Sequence, residues 1–231
     1  TKWLIGHASE YGDLRVLTEQ LVERLDVIGF PVERLNLGVL AVHPEMAGYA
    51  VMWEKGMGAP IEVPIRREDT QKATYLDSPI RYVVDHQVSV DFDLSDSDAQ
   101  SRFPVLQEFR DKGFTQYLGF PLPYGEGGTA ILTLCTRLEG GFSESHTVGI
   151  QQILPVLRLL IDVAETRRLA RTVLRTYLGK DTGERVLSGE IVRGAGERIQ
   201  AALWFCDLRD YTSMTAALGS FAMIDVMNQF F

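Results

Sequence analysis

A single helical pattern runs from Ser143 to about Leu178, and whatever fold this chain adopts must give that helix a long face to pack against. Ser143 caps its start, and Phe142 just before it is placed to staple onto the first turn. Pro155 lies inside and is expected to kink or split the helix, because it lacks the N–H that the preceding turn requires. Ile153, Val156, Leu160, Val163, Arg167, Ala170, Leu174 and Tyr177 step by alternating threes and fours, a heptad seam with one polar position. Up to Ala164 two readings stand level: a helix packed on its own domain, or a seam against another helix. Past Glu165 the other faces carry Arg167, Arg168, Arg171 and Arg175. A solvated helix with one narrow apolar stripe needs a partner. A homodimer paired in parallel through Leu160, Val163, Ala170, Leu174 and Tyr177 is therefore expected, with the stem of Arg167 reaching solvent from beside the seam.

The preceding residues alternate between strand and helix signals. Leu14, Leu17, Leu21, Leu25 and Ile28 mark one helix over 3–28, stopped by Gly29 and Pro31. Residues 35–42, 48–54 and 61–65 read as strands, the third placed at a sheet edge because Pro64 removes a donor. Ser78 caps a short helix opening at Pro79, and 104–112 predicts another. Residues 114–122 and 129–136 flank Tyr124-Gly125-Glu126-Gly127-Gly128 as a β-hairpin. These elements predict an α+β fold, a mixed or antiparallel sheet flanked by helices. Trp53, Tyr75, Tyr82, Phe92 and Phe103 are of a kind that can line a pocket, although filling the core is the plainer role for each.

Several motifs carry less than they first suggest. Asp91, Asp93, Asp96 and Asp98 imitate a calcium loop, but Asp96 and Arg102 stand where that loop requires Gly and Glu, so a solvated acidic loop is expected. Gly125 to Gly128 joins two strands and no helix start follows, which favours a turn over a phosphate cradle. His7, His43, His86 and His146 show no ligand spacing. The net charge of −8 argues against a broad nucleic-acid surface. Cys135 and Cys206 form no CxxC pair and sit in apolar runs, which reads as two buried free thiols in a reducing, cytoplasmic setting. No run approaches the roughly 18 apolar residues of a membrane span. The opening Thr1-Lys2-Trp3, with no Met, reads as an internal cut.

Residues 179–196 are rich in Gly and charge and read as a connector. Residues 199–206 predict a strand that delivers Asp207 to its end, and a helix follows from Tyr211 to Phe231. Backbone N–H groups at that helix start suit a phosphate, and a carboxylate beside them suits magnesium. An Asp that merely caps a turn after a buried strand fits the spacing equally well.

Trp204-Phe205-Cys206-Asp207-Leu208-Arg209-Asp210-Tyr211-Thr212 resembles the opening strand and turn of class III adenylate/guanylate cyclase domains. Tyr177 to Lys180 and Thr182 to Gly194 are similar to the connector that enters such domains in bacterial cyclases. The resemblance implies that Asp207 is the first of two metal-binding aspartates for Mg2+ or Mn2+, with the Leu208 carbonyl as a second ligand. It places Tyr211 and Thr212 against the triphosphate of ATP or GTP. The family often has Gly where Asp210 stands, and an extra carboxylate there weakens nucleotide binding unless it points away. The second metal aspartate, the base-selecting residues and the transition-state Asn and Arg would lie beyond Phe231.

The first 165 residues look like a GAF-type sensory domain, a resemblance of architecture without a ligand signature. The expected organisation is a sensory domain over 1–164 with its exit helix from about 143, a coiled-coil connector over 165–197, and the start of a cyclase domain over 198–231. The expected function of the parent protein is a homodimeric, signal-regulated cyclase converting ATP to cyclic AMP and pyrophosphate, with a small-molecule effector in the sensory domain. This chain alone is expected to be inactive. The rival reading is a dimeric ligand-sensing module without catalysis.

Overall fold

A computed structural model describes residues 2–6, 12–40, 46–189, 200 and 202–230. The chain divides into two compact units, Thr1–Glu190 and Ile191–Phe231. His7, His43, the end of the expected connector from residue 190 and residues 198–199 at the start of the expected cyclase segment lie outside the described residues.

The first unit is an α+β fold built on one six-stranded, wholly antiparallel sheet. Its strands are β1 (Arg34–Leu40), β2 (Met46–Glu54), β3 (Ile61–Arg66), β4 (Val90–Asp93), β5 (Gln116–Tyr124) and β6 (Gly128–Thr136), in the order β3-β2-β1-β6-β5-β4. The central strands are buried along almost their whole length because helices cover both faces. Pro64 sits on edge strand β3, where its missing N–H costs no ladder bond. The hairpin joining β5 to β6 turns at Gly125 and Gly127, both at positive φ.

Alternation along the strands sorts the core into two layers. Leu35, Leu37, Val39, Leu118, Phe120, Leu132 and Leu134 face one way and pack with α2 (Leu14–Val27) and α7 (Glu144–Leu178). Ile131, Cys135 and Tyr117 face the other way, toward Val83 of α4 (Pro79–His86) and Leu106 of α6 (Pro104–Asp111). A Cβ on Gly119 would lie 2.9 Å from Val90 and 3.4 Å from Val83, so only glycine lets α4 and β4 close onto β5 here.

The N-terminal helical pattern is two helices, not one. α1 covers Lys2–Gly6, and α2 starts afresh at Leu14 because the Asp13 side chain accepts from the Arg15 N–H as its cap. Pro155 does not split α7, which continues to Leu178; the proline is on the exposed side, where water can serve the freed carbonyl. The start of α7 is held by a capping box in which the Ser143 N–H donates to His146 Nδ1 (3.1 Å) and the His146 N–H to the Ser143 hydroxyl (3.3 Å).

Three further expectations change. The acidic stretch after Val90 contributes β4 and then α5 (Ser97–Arg102), and α3 (Ala73–Leu76) precedes α4. Within the stretch read as a connector, Lys180–Leu187 is a helix, α8, folded back on α7. Gly183 makes that approach possible, since a Cβ there would lie 3.1 Å from Leu174 and Arg175 backbone atoms. Glu184 then takes Arg175 (2.6 Å) and Arg171 (3.5 Å). Finally, α7 is long and apolar enough, by length and composition, to cross a membrane. Its inner row of Ile150, Leu157, Leu160, Ile161 and Ala164 is taken up by the sheet layer, which accounts for that apolar content within the fold.

In the second unit, residues 202–208 form neither strand nor helix, which corrects the expected strand over 199–206 as far as it is described. Leu203, Trp204 and Phe205 are 82%, 87% and 90% exposed, and no described strand pairs with them. The expected single helix is α9 (Tyr211–Leu218) and α10 (Ser220–Phe230), broken at Gly219 with φ 78°.

Candidate functional site

The layer between the sheet and α4/α6 does not fill completely. A cavity of about 460 Å³ remains between β1, β5 and β6 on one side and the segment from Asp69 to Phe109 on the other. The register explains its floor. Asn36 on β1 stands directly opposite Thr133 on β6, and Arg34 and Tyr117 each stand opposite Cys135. Alternation points all four into the same layer, so polar side chains form one ledge. Ile65, Pro79, Ile80, Val105 and Phe109 supply the apolar wall.

The ledge is buried but incompletely satisfied. Asn36 is 6% and Thr133 5% exposed. Tyr117 is 2% exposed, and its hydroxyl completes no hydrogen bond of good geometry, with the Thr133 hydroxyl as its polar neighbour. Burial is the main force pushing the Tyr117 pKa upward, with the neighbouring Thr133 hydroxyl and the Arg34 charge opposing it, so the phenol stays protonated. The Arg34 guanidinium lies 5.2 Å from the Phe109 ring centroid, and Phe109 stacks on Tyr117 at 5.9 Å and 15°. At the rim Lys72 and Asp69 pair at 2.6 Å. A buried donor without a partner costs about 1–3 kcal/mol. Tyr117 lines a cavity of ligand-binding size, which makes the arrangement a candidate site for a small molecule.

On the opposite layer a brace ties the sheet to α7. The Tyr49 hydroxyl donates to the buried carboxyl of Glu165, and Arg168 lies 3.8 Å over the Tyr49 ring while gripping Glu62 on β3 at 2.8 and 3.1 Å. Burial, foremost, raises the Glu165 pKa, partly offset by the Tyr49 hydrogen bond and the Arg168 charge.

Of the aromatics expected as pocket candidates, Tyr75 lines the cavity. Tyr82, Phe92 and Phe103 pack on one another in the adjoining core, with Phe103 centroids 5.9 Å from Tyr82 and 5.5 Å from Phe92. Trp53 packs in the other layer. Arg34, Asn36, Tyr117 and Thr133 were not singled out from the sequence. Their signal is there, Arg34 and Asn36 at alternate positions of β1 and Tyr117 and Thr133 singly within the largely apolar β5 and β6.

The expected seam divides. Val163, Ala170 and Tyr177 face solvent, but Leu160 is 3% exposed and packs in the sheet layer, and Leu174 is half-buried where α8 folds back. The outward apolar row is Leu159, Val163, Ala170, Val173 and Tyr177. This corrects Leu160 as a partner-facing residue: helical rotation gives that side chain to its own core.

In the second unit Asp207 is exposed and Leu208 half-buried, in the irregular segment just before α9, and Tyr211 and Thr212 occupy the first turn of that helix. Asp210 adopts φ 59°, a left-handed conformation that glycine takes freely and Asp tolerates at a cost. This explains physically why glycine suits that position. Among the described residues no group of three His, Cys, Asp or Glu side chains gathers to hold a metal. One carboxylate and one carbonyl fall short of the roughly six oxygens magnesium takes, and these residues alone do not fit a bound ion. Cys206 is exposed, which corrects the expectation that both thiols are buried; Cys135 is buried.

No protein-family model matches the chain, and no curated protein matches it. Solved GAF domains are among the structures similar to it. The GAF domain of a two-component sensor histidine kinase from Bacillus halodurans shares 16% identity over 67% of this chain and 97% of its own, with a TM-score of 0.49. The phycoerythrobilin-bound GAF domain of a cyanobacterial phytochrome shares 12% identity over 72% of this chain and 95% of its own, with a TM-score of 0.48.

Proposed function

We propose that the first unit is a sensory module that binds a small molecule in the cavity of Arg34, Asn36, Tyr117 and Thr133. The observation that carries this reading is the Tyr117 hydroxyl, buried in the cavity wall without a hydrogen bond of good geometry. A ligand there touches β1, β5 and β6, and the same strands pack through their other face on α7. Occupancy can therefore bias the position of that helix. A screen of small metabolites by ligand-observed NMR, run in parallel on the wild type and Asn36→Leu, tests the proposal. At least one compound should bind the wild type saturably and lose that binding in the variant. If none does, the cavity is a packing defect.

The output we propose is a nucleotide cyclase of the parent protein, working as a homodimer paired through the outer row of α7. The resemblance of 204–212 to a class III cyclase opening supports the activity: ATP, or GTP, gives its cyclic monophosphate and pyrophosphate. Asp207 and the Leu208 carbonyl would belong to an Mg2+ or Mn2+ site, and Tyr211 and Thr212 would lie against the phosphates. Partners from outside this chain complete the site, so the chain alone should make no cyclic AMP. In the parent, Asp207→Asn should abolish most turnover with folding unchanged; near-normal activity would reduce Asp207 to a turn residue. The exposed Leu203 to Phe205 run, with which no described strand pairs, favours a second reading, in which the module senses a ligand and regulates a partner without catalysis.

A further inference from the structure

The wall chemistry narrows the ligand class, on the premise that the cavity is the sensory site proposed above. The ledge is rich in donors. The protonated Tyr117 hydroxyl has one to give and no well-placed taker. Arg34 faces Glu54 at 3.6 Å, beyond hydrogen-bond distance, and the other Glu54 oxygen is engaged by Arg137 at 2.9 Å. The guanidinium thus keeps donors for a ligand. The Asn36 carboxamide and the Thr133 hydroxyl add two more across the β1–β6 pair. The one acid on the wall, Asp69, is already paired with Lys72 and accepts the Arg66 N–H at 3.0 Å. A cation would find no counter-charge. A dianion would find a single guanidinium, itself half-compensated by Glu54. Facing the ledge, Ile65, Ile80, Val105 and Phe109 offer flat and branched apolar surface.

We propose that the cavity takes a small planar monocarboxylate, its carboxylate on Arg34, Tyr117 and Asn36 and its ring or conjugated body against Ile80, Val105 and Phe109. One carboxylate accepts from several donors at once, and hydrogen bonds to a charged acceptor are the strong ones. The apolar wall holds the rest of the molecule and excludes cofactors much larger than the cavity.

Titration calorimetry with benzoate, benzamide and phenyl phosphate on the full chain tests this. These three probes share a ring and differ in charge. Benzoate should bind saturably, and benzamide and phenyl phosphate at least about tenfold more weakly. Tyr117→Phe should weaken benzoate by about ten- to a hundredfold, the size of one hydrogen bond to a charged group, without lowering the melting temperature of the free protein. That last readout separates a ligand contact from a structural role. Asn36→Leu, which removes another of the carboxylate's donors, should weaken benzoate in the same direction and serves if Tyr117→Phe does not fold. Benzamide or phenyl phosphate binding as tightly as benzoate, no saturable benzoate binding, or unchanged affinity in a folded variant would each overturn the assignment. If the metabolite screen then finds a cavity ligand of another class, the sensory reading survives and only the carboxylate fails.

Discussion

Leu160→Ala separates the two roles that the helical pattern of α7 allows for this residue. Leu160 is 3% exposed and packs in the layer that holds Leu118, Phe120 and Leu132. Removing its outer carbons forfeits roughly 0.8 kcal/mol per methylene of burial, and the cavity left behind adds to that. Such truncations cost about 3 kcal/mol, within a range of about 2.7–5. For a unit of this size each kcal/mol shifts the midpoint by about 2–4 °C, so Leu160→Ala should melt roughly 6–12 °C lower. Calorimetry at two protein concentrations is the assay. A core residue gives the same loss at both, whereas a residue at a dimer seam gives a loss that grows or shrinks with dilution. A control at Leu159, 61% exposed, should change monomer stability by no more than about 0.5 kcal/mol. A Leu160→Ala penalty below about 1 kcal/mol, or one that depends on concentration, would refute the inward placement of this row.

The outer row of α7 makes the opposite prediction: Leu159→Glu should dissociate the homodimer in sedimentation while leaving the urea midpoint of the diluted protein unchanged, and an intact dimer would move the contact elsewhere. Glu165→Gln keeps an acceptor for the Tyr49 hydroxyl and removes a charge that burial disfavours. Because the folded pKa of Glu165 is raised, its contribution is complete below the unfolded value of about 4.3 and is lost as pH climbs through the folded value. The variant and wild type should therefore coincide in acid and diverge toward neutrality with the variant more stable; parallel curves would show that burial does not burden this carboxylate. In thiol labelling of the native protein Cys206 should react quickly and Cys135, buried with its pKa pushed up to about 12, only on unfolding; fast modification of both would contradict the packing of β6.

Local chemistry in the sequence determined those elements whose signals need no distant partner. Ser78 with Pro79 starts α4, Ser143 starts α7, Gly125 and Gly127 turn the hairpin, and Pro64 marks an edge; each acts through its own backbone conformation or one nearby N–H. What depends on partners far along the chain only the tertiary structure decided. Val90–Asp93 reads as an acidic loop and becomes a strand because β5 offers it an open edge. Residues 202–206 read as a strand, yet none of the described strands pairs with them, and they form none. Leu159 and Leu160 are both apolar on adjacent rows, so spacing cannot say which faces inward; contact with the sheet does. The cavity is the clearest case. Arg34 and Asn36 come from β1, Tyr117 from β5 and Thr133 from β6, and only the register of three strands sets them on one ledge. Each was visible as a polar residue in an apolar strand, but which face it took, and that Tyr117 would complete no hydrogen bond of good geometry there, followed from how α4 and α6 close over the sheet.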